Sequence, residues 1–338
     1  MTVPRHSAPP LRMIVIPNVG SDDPSPPRRR WTRAAGWGAL LTLSVLIYGS
    51  HAPLIALTKV DGRVPFSPSS CVVMIELTKL LVSVVLLVTR DLHTLGVSVS
   101  WRHVVPYALP ALLYALNNNL VVFMQAHMDP STFQVLSNLK IASTALLYSS
   151  CLGKRLRPKQ WLALSLLMGA GVCHSYSSLE VEEERRGGED SRRIRLHVSA
   201  WGLLLVLTYC LISGLAAVYT ELILKTQQLP LSLQNLFLYV FGVAVNGAAH
   251  VSGATGDRGF LEGYSVVVWA IVAGQAANGL LMAVVMKHSS NITRLFIISC
   301  SMLVNTALSW AILGLQITPI FLLAVLMIGL AAHLYYGT

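Results

Sequence analysis

Long apolar runs recur along the whole chain and constrain its fold more than any other feature. Each run is about 20 residues long, the length that an α-helix needs to cross the hydrocarbon core of a bilayer. The chain is 54% hydrophobic and only 12% charged. A soluble domain carries about 25% charged residues, so this chain lacks the polar surface of a soluble enzyme, a nucleic-acid-binding protein or a secreted module. The sequence predicts an all-α membrane protein.

The positions of the runs predict ten membrane spans and four regions. Residues 1–35 are rich in proline and arginine and are predicted to form a disordered cytosolic tail. Five spans make a first half over 36–178, a hydrophilic loop covers 179–197, and five spans make a second half over 198–338. The predicted spans are 36–57, 69–89, 103–123, 131–151, 159–178, 198–224, 231–251, 265–286, 290–313 and 316–335.

Charge sets the predicted orientation. The formal net charge is +10, and a cytosolic N-terminus places most of the excess basic residues in cytosolic segments. Lys and Arg collect on the cytosolic side of membrane proteins, so both termini are predicted in the cytosol and the loop 179–197 in the lumen. A basic cytosolic face also suits contact with anionic lipid, and no nucleic-acid partner is predicted.

Known catalytic and metal-binding motifs are missing from the sequence. The five cysteines lie in or beside apolar runs and form no CxxC pair, which indicates small hydrophobic residues rather than a metal site. There is no Walker loop and no nucleophile elbow. We therefore predict no catalytic residue, no metal and no cofactor.

A short repeat relates the two predicted halves. Five predicted helices separate its copies, and an odd number inverts one half relative to the other. Inverted repeats with a site between them are a common transporter design, so we expect an inverted repeat of five plus five helices. The first copy contains Ala115 to Leu120, His127 and Thr144-Ala-Leu146, and the second contains Ala276 to Leu281, His288 and Thr306-Ala-Leu308.

Two acidic residues in the spans have a basic residue about one helical turn away. Glu76 and Lys79 are spaced i, i+3, which predicts an ion pair on one helix face. The pair has two interpretations, a gate or substrate contact and a charge pair that locks helix packing. Glu221 and Lys225 are spaced i, i+4 near a cytosolic helix end, where an interfacial pair is favoured.

Two cations inside the spans have no acidic neighbour on their own helix. Lys140 lies in the middle of a span and Arg294 lies near the start of another. Ionisable groups at such depth are costly and mark functional sites, and two cations between two repeats suit a phosphate-bearing ligand. The alternatives are a partner on another helix for Lys140 and snorkelling to the surface for Arg294.

A cluster of amides lies in the third predicted span. Asn117, Asn118 and Asn119 follow Tyr114 by about one turn. Their donor and acceptor groups suit a nucleobase or a sugar, and the alternative is hydrogen bonding between helices. The stretch Met168 to Gly171 is predicted to allow close helix packing rather than phosphate binding.

Six segments of the chain together carry a resemblance to a known family. They are Glu76-Leu-Thr-Lys79, Tyr114-Ala-Leu-Asn-Asn-Asn119, Phe133-Gln-Val-Leu-Ser-Asn-Leu-Lys140, Tyr219-Thr-Glu221, Leu233-Gln-Asn235 and Gly279 to Arg294. In their order and spacing the chain resembles the Golgi nucleotide-sugar transporters, in the branch with the CMP-sialic acid, UDP-galactose and UDP-N-acetylglucosamine carriers. The resemblance runs from about residue 36 to residue 336.

The resemblance implies a fold of the drug/metabolite transporter type in a multi-pass Golgi membrane protein. It also implies exchange of a cytosolic pyrimidine nucleotide sugar, with a UDP-, CMP- or CDP-linked sugar or alditol, for a lumenal nucleoside monophosphate by alternating access. The family's phosphate-binding lysine falls on Lys140, and its paired asparagines fall on Asn118 and Asn119. The chain departs from its relatives at Phe133, where a tyrosine is common, and at Arg294, where several carry lysine.

A second class of function stays open at this level. A non-transporting membrane partner or scaffold of other Golgi transporters and glycosyltransferases would keep the same fold. A proton-coupled metabolite exporter would need a free acid in the cavity, whereas Glu76 is expected to pair with Lys79. A single chain, a homo-oligomer and complexes with other Golgi transporters are all compatible with the sequence.

Overall fold

The structure is a computed structural model, and its described part is helical. It describes residues 27–60, 64–91, 100–128, 130–185, 200–253, 259–314 and 316–337. No β-strand occurs in these ranges, in agreement with the predicted all-α class. The chain divides into two units, Met1–Ala39 and Leu40–Thr338. The described residues of the first unit form the beginning of the first helix, and the helix packing and the cavity belong to the second.

Two tight 3-10 turns, Val105–Tyr107 and Ser137–Leu139, interrupt the helical sequence. The α-helices are, in chain order, α1 (Pro27–Thr58), α2 (Pro68–Arg90), α3 (Trp101–Val104), α4 (Ala108–His127), α5 (Pro130–Leu136), α6 (Lys140–Cys151), α7 (Pro158–Arg185), α8 (Ala200–Thr226), α9 (Leu231–Gly253), α10 (Val266–His288), α11 (Asn291–Leu313) and α12 (Pro319–Tyr336).

Eight of the helices found in the described ranges are long and apolar enough to cross a membrane, judged by length and composition. They coincide with the predicted first, second and fifth to tenth spans. The predicted third span falls on α3, a 3-10 turn and α4, where Pro106 lacks the N–H of a regular helix. The predicted fourth span falls on α5, a 3-10 turn and α6. There Ser137 and Asn138 donate hydrogen bonds to the carbonyl of Gln134 and compete with the regular helical pattern.

The helix ends differ from the predicted regions in two places. α1 begins at Pro27, so residues 27–35 are helical and not disordered, since a proline at the first helical position is preorganised for a helix. α7 continues to Arg185 and includes the beginning of the predicted loop 179–197. The rest of the predicted tail and loop, residues 1–26 and 186–199, lies outside the described residues.

Hydroxyl side chains fix the starts of four helices. In each case the oxygen accepts a hydrogen bond from the backbone N–H three residues later, which satisfies a donor that the first helical turn leaves free. In α2 and α12 a proline follows the cap. The capping residues are Ser67 for α2, Ser265 for α10, Ser290 for α11 and Thr318 for α12.

Small residues allow the helices to approach closely. α2 packs along α9 and α10, α4 along α8 and α9, α6 along α8, and α7 along α12. A Cβ on Gly169 of α7 would lie 2.6 Å from Met327 of α12, and one on Gly171 would collide with the Asn138 amide. Lipid offers no hydrophobic gain on helix association, so close packing of small residues is what holds membrane helices together. The predicted packing role of the stretch Met168 to Gly171 is confirmed.

Large apolar side chains remain exposed on the outside of the second unit. Leu81 is 64% exposed, Leu326 70% and Val266 86%. In water such side chains would favour association or aggregation, whereas the hydrocarbon of a bilayer is as apolar as leucine. The exposed surface therefore agrees with a chain that contacts membrane lipid.

Candidate functional site

The helices surround a cavity of about 240 Å³. Its walls come from α1, α2, α4, α8, α9, α10 and α11, so the segments on both sides of residues 186–199 build it together. The residues that line it are Tyr48, Glu76, Lys79, Ala111, Tyr114, Asn118, Thr220, Leu238, Tyr239, Gly242, Asn246, Asn278, Gly279, Met282, Ala283, Met286 and Arg294.

The predicted ion pair of α2 lies in the wall of this cavity. Lys79 Nζ is 2.6 Å from Glu76 Oε1, which confirms the pairing inferred from the i, i+3 spacing. The ammonium also lies 4.5 Å from the centroid of the Tyr239 ring on α9, a cation–π distance. Both charges are thereby held by neighbouring groups, and the carboxylate of Glu76 is engaged by an ammonium and not available as a free acid.

Two glycines make room for this pair. A Cβ on Gly242 of α9 would lie 2.7 Å from Glu76 Oε2, and a Cβ on Gly279 of α10 would lie 2.8 Å from Lys79 Cδ. Contacts under about 3 Å force one of the groups to move. The ion pair is therefore packed directly against the backbones of α9 and α10 at these two glycines, and a Cβ at either position would displace a side chain of α2.

Gly242→Ala and Gly279→Ala are expected to displace the ion pair and lower the thermal stability of the purified protein, since overpacking typically costs about 1–3 kcal/mol. Gly247→Ala is a matched control on α9, because a Cβ there meets nothing within 4 Å. Thermal unfolding monitored by intrinsic fluorescence measures the difference. Equal midpoints for Gly242→Ala and Gly247→Ala would contradict the packing role of Gly242.

Arg294 provides an unpaired positive charge in the cavity. It lies in the first turn of α11 and lines the cavity. Among the described residues it has no salt-bridge partner. A guanidinium offers a planar set of donors that binds carboxylate or phosphate in a bidentate manner. The described residues contain no cluster of three His, Cys, Asp or Glu side chains that could hold a metal.

Lys140 is the second unpaired cation. It begins α6 directly after the Ser137–Leu139 turn, and within the described chain its ammonium is in no ion pair. The next turn of α6 is tied to α8, because Ser143 Oγ donates a 2.8 Å hydrogen bond to the carbonyl of Cys210. Lys140 is not among the residues that line the 240 Å³ cavity, so the structure does not bring the two predicted cations together in one wall.

Some of the other predicted site residues line the cavity and some do not. Tyr114 and Asn118 line the cavity. Asn119 is not among the lining residues, and its Nδ2 donates a 2.9 Å hydrogen bond to the carbonyl of Ala115 on the same helix. Asn117 Oδ1 is buried, and none of the described residues donates a hydrogen bond to it. Phe133 packs edge-on against Tyr209 of α8, with ring centroids 5.5 Å apart.

Several lining residues were missed by the sequence reasoning. They lie in apolar helices as single polar or aromatic residues, a pattern that does not distinguish a cavity from a helix contact. Asn278 lies in the second copy of the repeat, at the position that corresponds to Asn117 in the first, and the repeat is the one sequence signal that could have pointed to it. The missed polar residues are Tyr48, Thr220, Tyr239, Asn246 and Asn278.

A buried carboxylate holds the junction of α10 and α11 beside the cavity. Glu221 of α8 has no exposed surface, and its Oε2 accepts a 2.7 Å hydrogen bond from the backbone N–H of Asn291, the first residue of α11. Lys225 Nζ lies 2.6 Å from Glu221 Oε1 and also donates to the carbonyl of Ser289. The predicted pair of Glu221 and Lys225 is confirmed, and it fixes the helix turn that carries Arg294.

The fold and this site define a class of protein: a polytopic helical membrane protein with a partly charged cavity between the two segments of its chain. The sequence model of the family described as Nucleotide-sugar transporter matches residues 40–336. The chain therefore belongs to the nucleotide-sugar transporter family, whose members are transporters and not enzymes.

Similar proteins cover almost the whole chain. Three of them are described as "Probable UDP-sugar transporter protein SLC35A4". The zebrafish protein is 59% identical over 96% of this chain and 100% of its own length, the one from Xenopus tropicalis 54% over 93% and 95%, and the human one 54% over 90% and 95%. A crystal structure of a protein with 14% identity has a TM-score of 0.66, covering 88% of this chain and 95% of that one, and it shows the fold alone.

Proposed function

We propose that the protein is a Golgi antiporter that exchanges a cytosolic pyrimidine nucleotide sugar for a lumenal nucleoside monophosphate by alternating access. The observation that carries this proposal is Arg294, whose guanidinium lines the cavity without an acidic partner among the described residues. Phosphate is the ligand chemistry that such a group prefers. The descriptions of the zebrafish, frog and human relatives favour a UDP-linked sugar.

The ten spans and their inverted repeat form part of the proposal. The interrupted helices over 101–127 and 130–151 would be the third and fourth spans, and together with the eight long apolar helices they would make ten. Helix packing supports the symmetry. When the two halves are interchanged, α2 corresponds to α9 and α4 corresponds to α10. The packing of α2 against α10 therefore has its counterpart in the packing of α9 against α4. A cavity between such repeats is where transporters of this design bind their substrate.

The residues predicted from the sequence have definite roles in this mechanism. Arg294 would neutralise a phosphate group in the cavity, and the family resemblance assigns a phosphate to Lys140 as well, although Lys140 lies outside the cavity lining in this structure. Tyr114 and Asn118, which line the cavity, would contact the nucleoside or the sugar. Asn117, Asn119 and Phe133 were predicted to do so too, but they lie outside the cavity lining in this structure. The pair of Glu76 and Lys79 forms another part of the cavity wall. An empty cavity leaves Arg294 without a counter-anion, so exchange is favoured over uniport.

Exchange in proteoliposomes tests the function directly. Purified protein would be reconstituted and supplied with radiolabelled UDP-, CMP- and CDP-linked sugars, with and without nucleoside monophosphate inside. We expect uptake of at least one of them to accelerate on preloading. Thermal unfolding with each nucleotide is the companion measurement, since a ligand of the folded protein raises its apparent stability. No uptake and no stabilisation by any nucleotide would favour a scaffold that does not transport.

The proposed orientation gives a separate prediction. Both termini are expected in the cytosol and residue 188 of the loop 179–197 in the lumen, because basic residues collect on the cytosolic side. Epitope tags at residue 2, at residue 188 and after Thr338 would be probed after selective permeabilisation of the plasma membrane. The terminal tags should react with antibody while the tag at 188 stays protected. A labelled tag at 188 with an intact Golgi membrane would reverse the orientation.

A further inference from the structure

Asn278 carries a buried amide that the mechanism above does not use. It lies in the middle of α10, is 7% exposed and lines the cavity. Its Oδ1 is buried and has no hydrogen-bond donor among the described residues. Buried polar atoms in proteins are nearly always hydrogen-bonded, so one that is not requires an explanation.

Another asparagine of the same cavity shows what a satisfied amide looks like here. Asn246 of α9 donates its Nδ2–H to the carbonyl of Gly242 on its own helix, at 2.8 Å. Asn278 makes no such bond with α10. The torsion that orients an asparagine amide has a broad preference, so either end of the Asn278 amide can be presented to a ligand. The Asn278 amide, which has both an acceptor oxygen and donor N–H groups, can therefore bind a ligand whose hydrogen-bond donor and acceptor lie side by side.

The position of Asn278 relative to Arg294 suggests which part of a ligand it meets. Asn278 and Met286 are the two lining residues furthest apart on α10, and eight residues of helix span about 12 Å. Arg294 belongs to the first turn of α11, which starts just after α10 ends, and so its backbone lies at the Met286 end. A nucleotide with its phosphate on Arg294 would extend its base towards Asn278.

We propose that the Asn278 amide recognises the edge of the pyrimidine base, where a ring or amino N–H lies beside a carbonyl or ring-nitrogen acceptor. This inference rests on the proposed function, since it takes a pyrimidine nucleotide as the ligand. The amide carbonyl accepts the hydrogen bond of the base N–H, and the amide N–H donates to the neighbouring acceptor of the base. Asn278 is then a specificity-determining residue of the transporter.

The test is binding of UMP and CMP to purified wild type, Asn278→Ala and Asn278→Leu, measured by calorimetry and thermal shift. Both variants are expected to bind the nucleotide about tenfold more weakly, because the base edge is left without its partner. Without ligand they are expected to be at least as stable as wild type, since removing an unsatisfied buried oxygen costs nothing. Asn305→Ala is the matched control, because Asn305 Oδ1 is also buried and unsatisfied but Asn305 does not line the cavity.

Nucleotide analogues distinguish the base from the ribose. Methylation of the base edge, as in 3-methyl-UMP or N4,N4-dimethyl-CMP, should weaken binding to wild type and cause little further loss in Asn278→Ala. The 2′-deoxy and 3′-deoxy forms should lose the same factor in both proteins. The assignment to the base would be overturned by the reverse pattern. In that pattern the deoxy forms bind wild type more weakly but cause little further loss in Asn278→Ala, and methylation of the base weakens binding by the same factor in both proteins.

Failure of this inference differs from failure of the proposed function. Wild type that binds UMP or CMP while both Asn278 variants bind with unchanged affinity would overturn the role of Asn278 alone. A loss of stability without ligand, together with unchanged affinity, would make Asn278 a structural residue. Wild type that binds neither nucleotide would overturn the proposed function and this inference with it.

Discussion

Nucleotide exchange is expected to be abolished by Lys140→Ala and strongly reduced by Arg294→Ala, while both variants remain folded. Each side chain is a cation without an ion pair among the described residues, so truncation strands no carboxylate. Removing an unpaired charge from a membrane helix even relieves a desolvation cost. A hydrogen bond to a charged group contributes about 1.5–3 kcal/mol, which corresponds to about a tenfold to hundredfold loss of phosphate affinity for each cation.

Radiolabelled exchange and thermal unfolding would be measured side by side on the same preparations. Lys140→Arg keeps the charge but changes its shape and is expected to be impaired rather than inactive. Lys159→Ala, which removes an exposed lysine at the start of α7, should leave both measurements unchanged. A folded Lys140→Ala protein that exchanges nucleotide at the wild-type rate would exclude Lys140 from the phosphate site.

Features that depend on one helix were predictable from the sequence. The i, i+3 spacing of Glu76 and Lys79 was sufficient to predict their ion pair, because residues three apart share a helix face whatever surrounds them. Apolar length likewise located the eight long helices. The interrupted helix over 130–151 was predicted as one continuous span, because that prediction rested on the length of the apolar run. The hydrogen bonds from Ser137 and Asn138 to the carbonyl of Gln134 interrupt the helix but do not shorten this run.

Features that depend on two helices were not predictable. The separate environments of Arg294 and Lys140 follow from how α11 and α6 are placed, and no local pattern encodes that placement. Gly242 and Gly279 are similar cases, since each looks like an ordinary glycine of a membrane helix until the charges of α2 are seen against it. The repeat was the one sequence signal with long-range content, and it relates Asn278 to Asn117, although Asn278 was not predicted as a site residue.

Glu221 is expected to behave in the opposite way to the unpaired cations. Glu221→Ala removes a fully buried carboxylate and leaves the ammonium of Lys225 without its acid, together with the unpaired N–H of Asn291 at the start of α11. Breaking a buried pair by removing one partner typically costs about 3–5 kcal/mol. The loss should appear as a large fall in the thermal unfolding midpoint, and exchange should fall with it because the freed turn carries Arg294.

Two further variants decide whether the loss has this origin. Glu221→Gln keeps an acceptor for the N–H of Asn291 but not the charge, so its stability should lie between those of wild type and Glu221→Ala. Glu262→Ala removes an exposed acid outside the helices and should be neutral, since surface charges contribute about 0–1 kcal/mol. If Glu221→Ala instead unfolded at the wild-type temperature and lost exchange alone, the carboxylate would act on the substrate or on coupling rather than on the α10–α11 junction. If the expected result holds, the contrast with Arg294→Ala distinguishes a charge that has a partner from one that has none: loss of the paired charge of Glu221 lowers stability, and loss of the unpaired charge of Arg294 lowers binding.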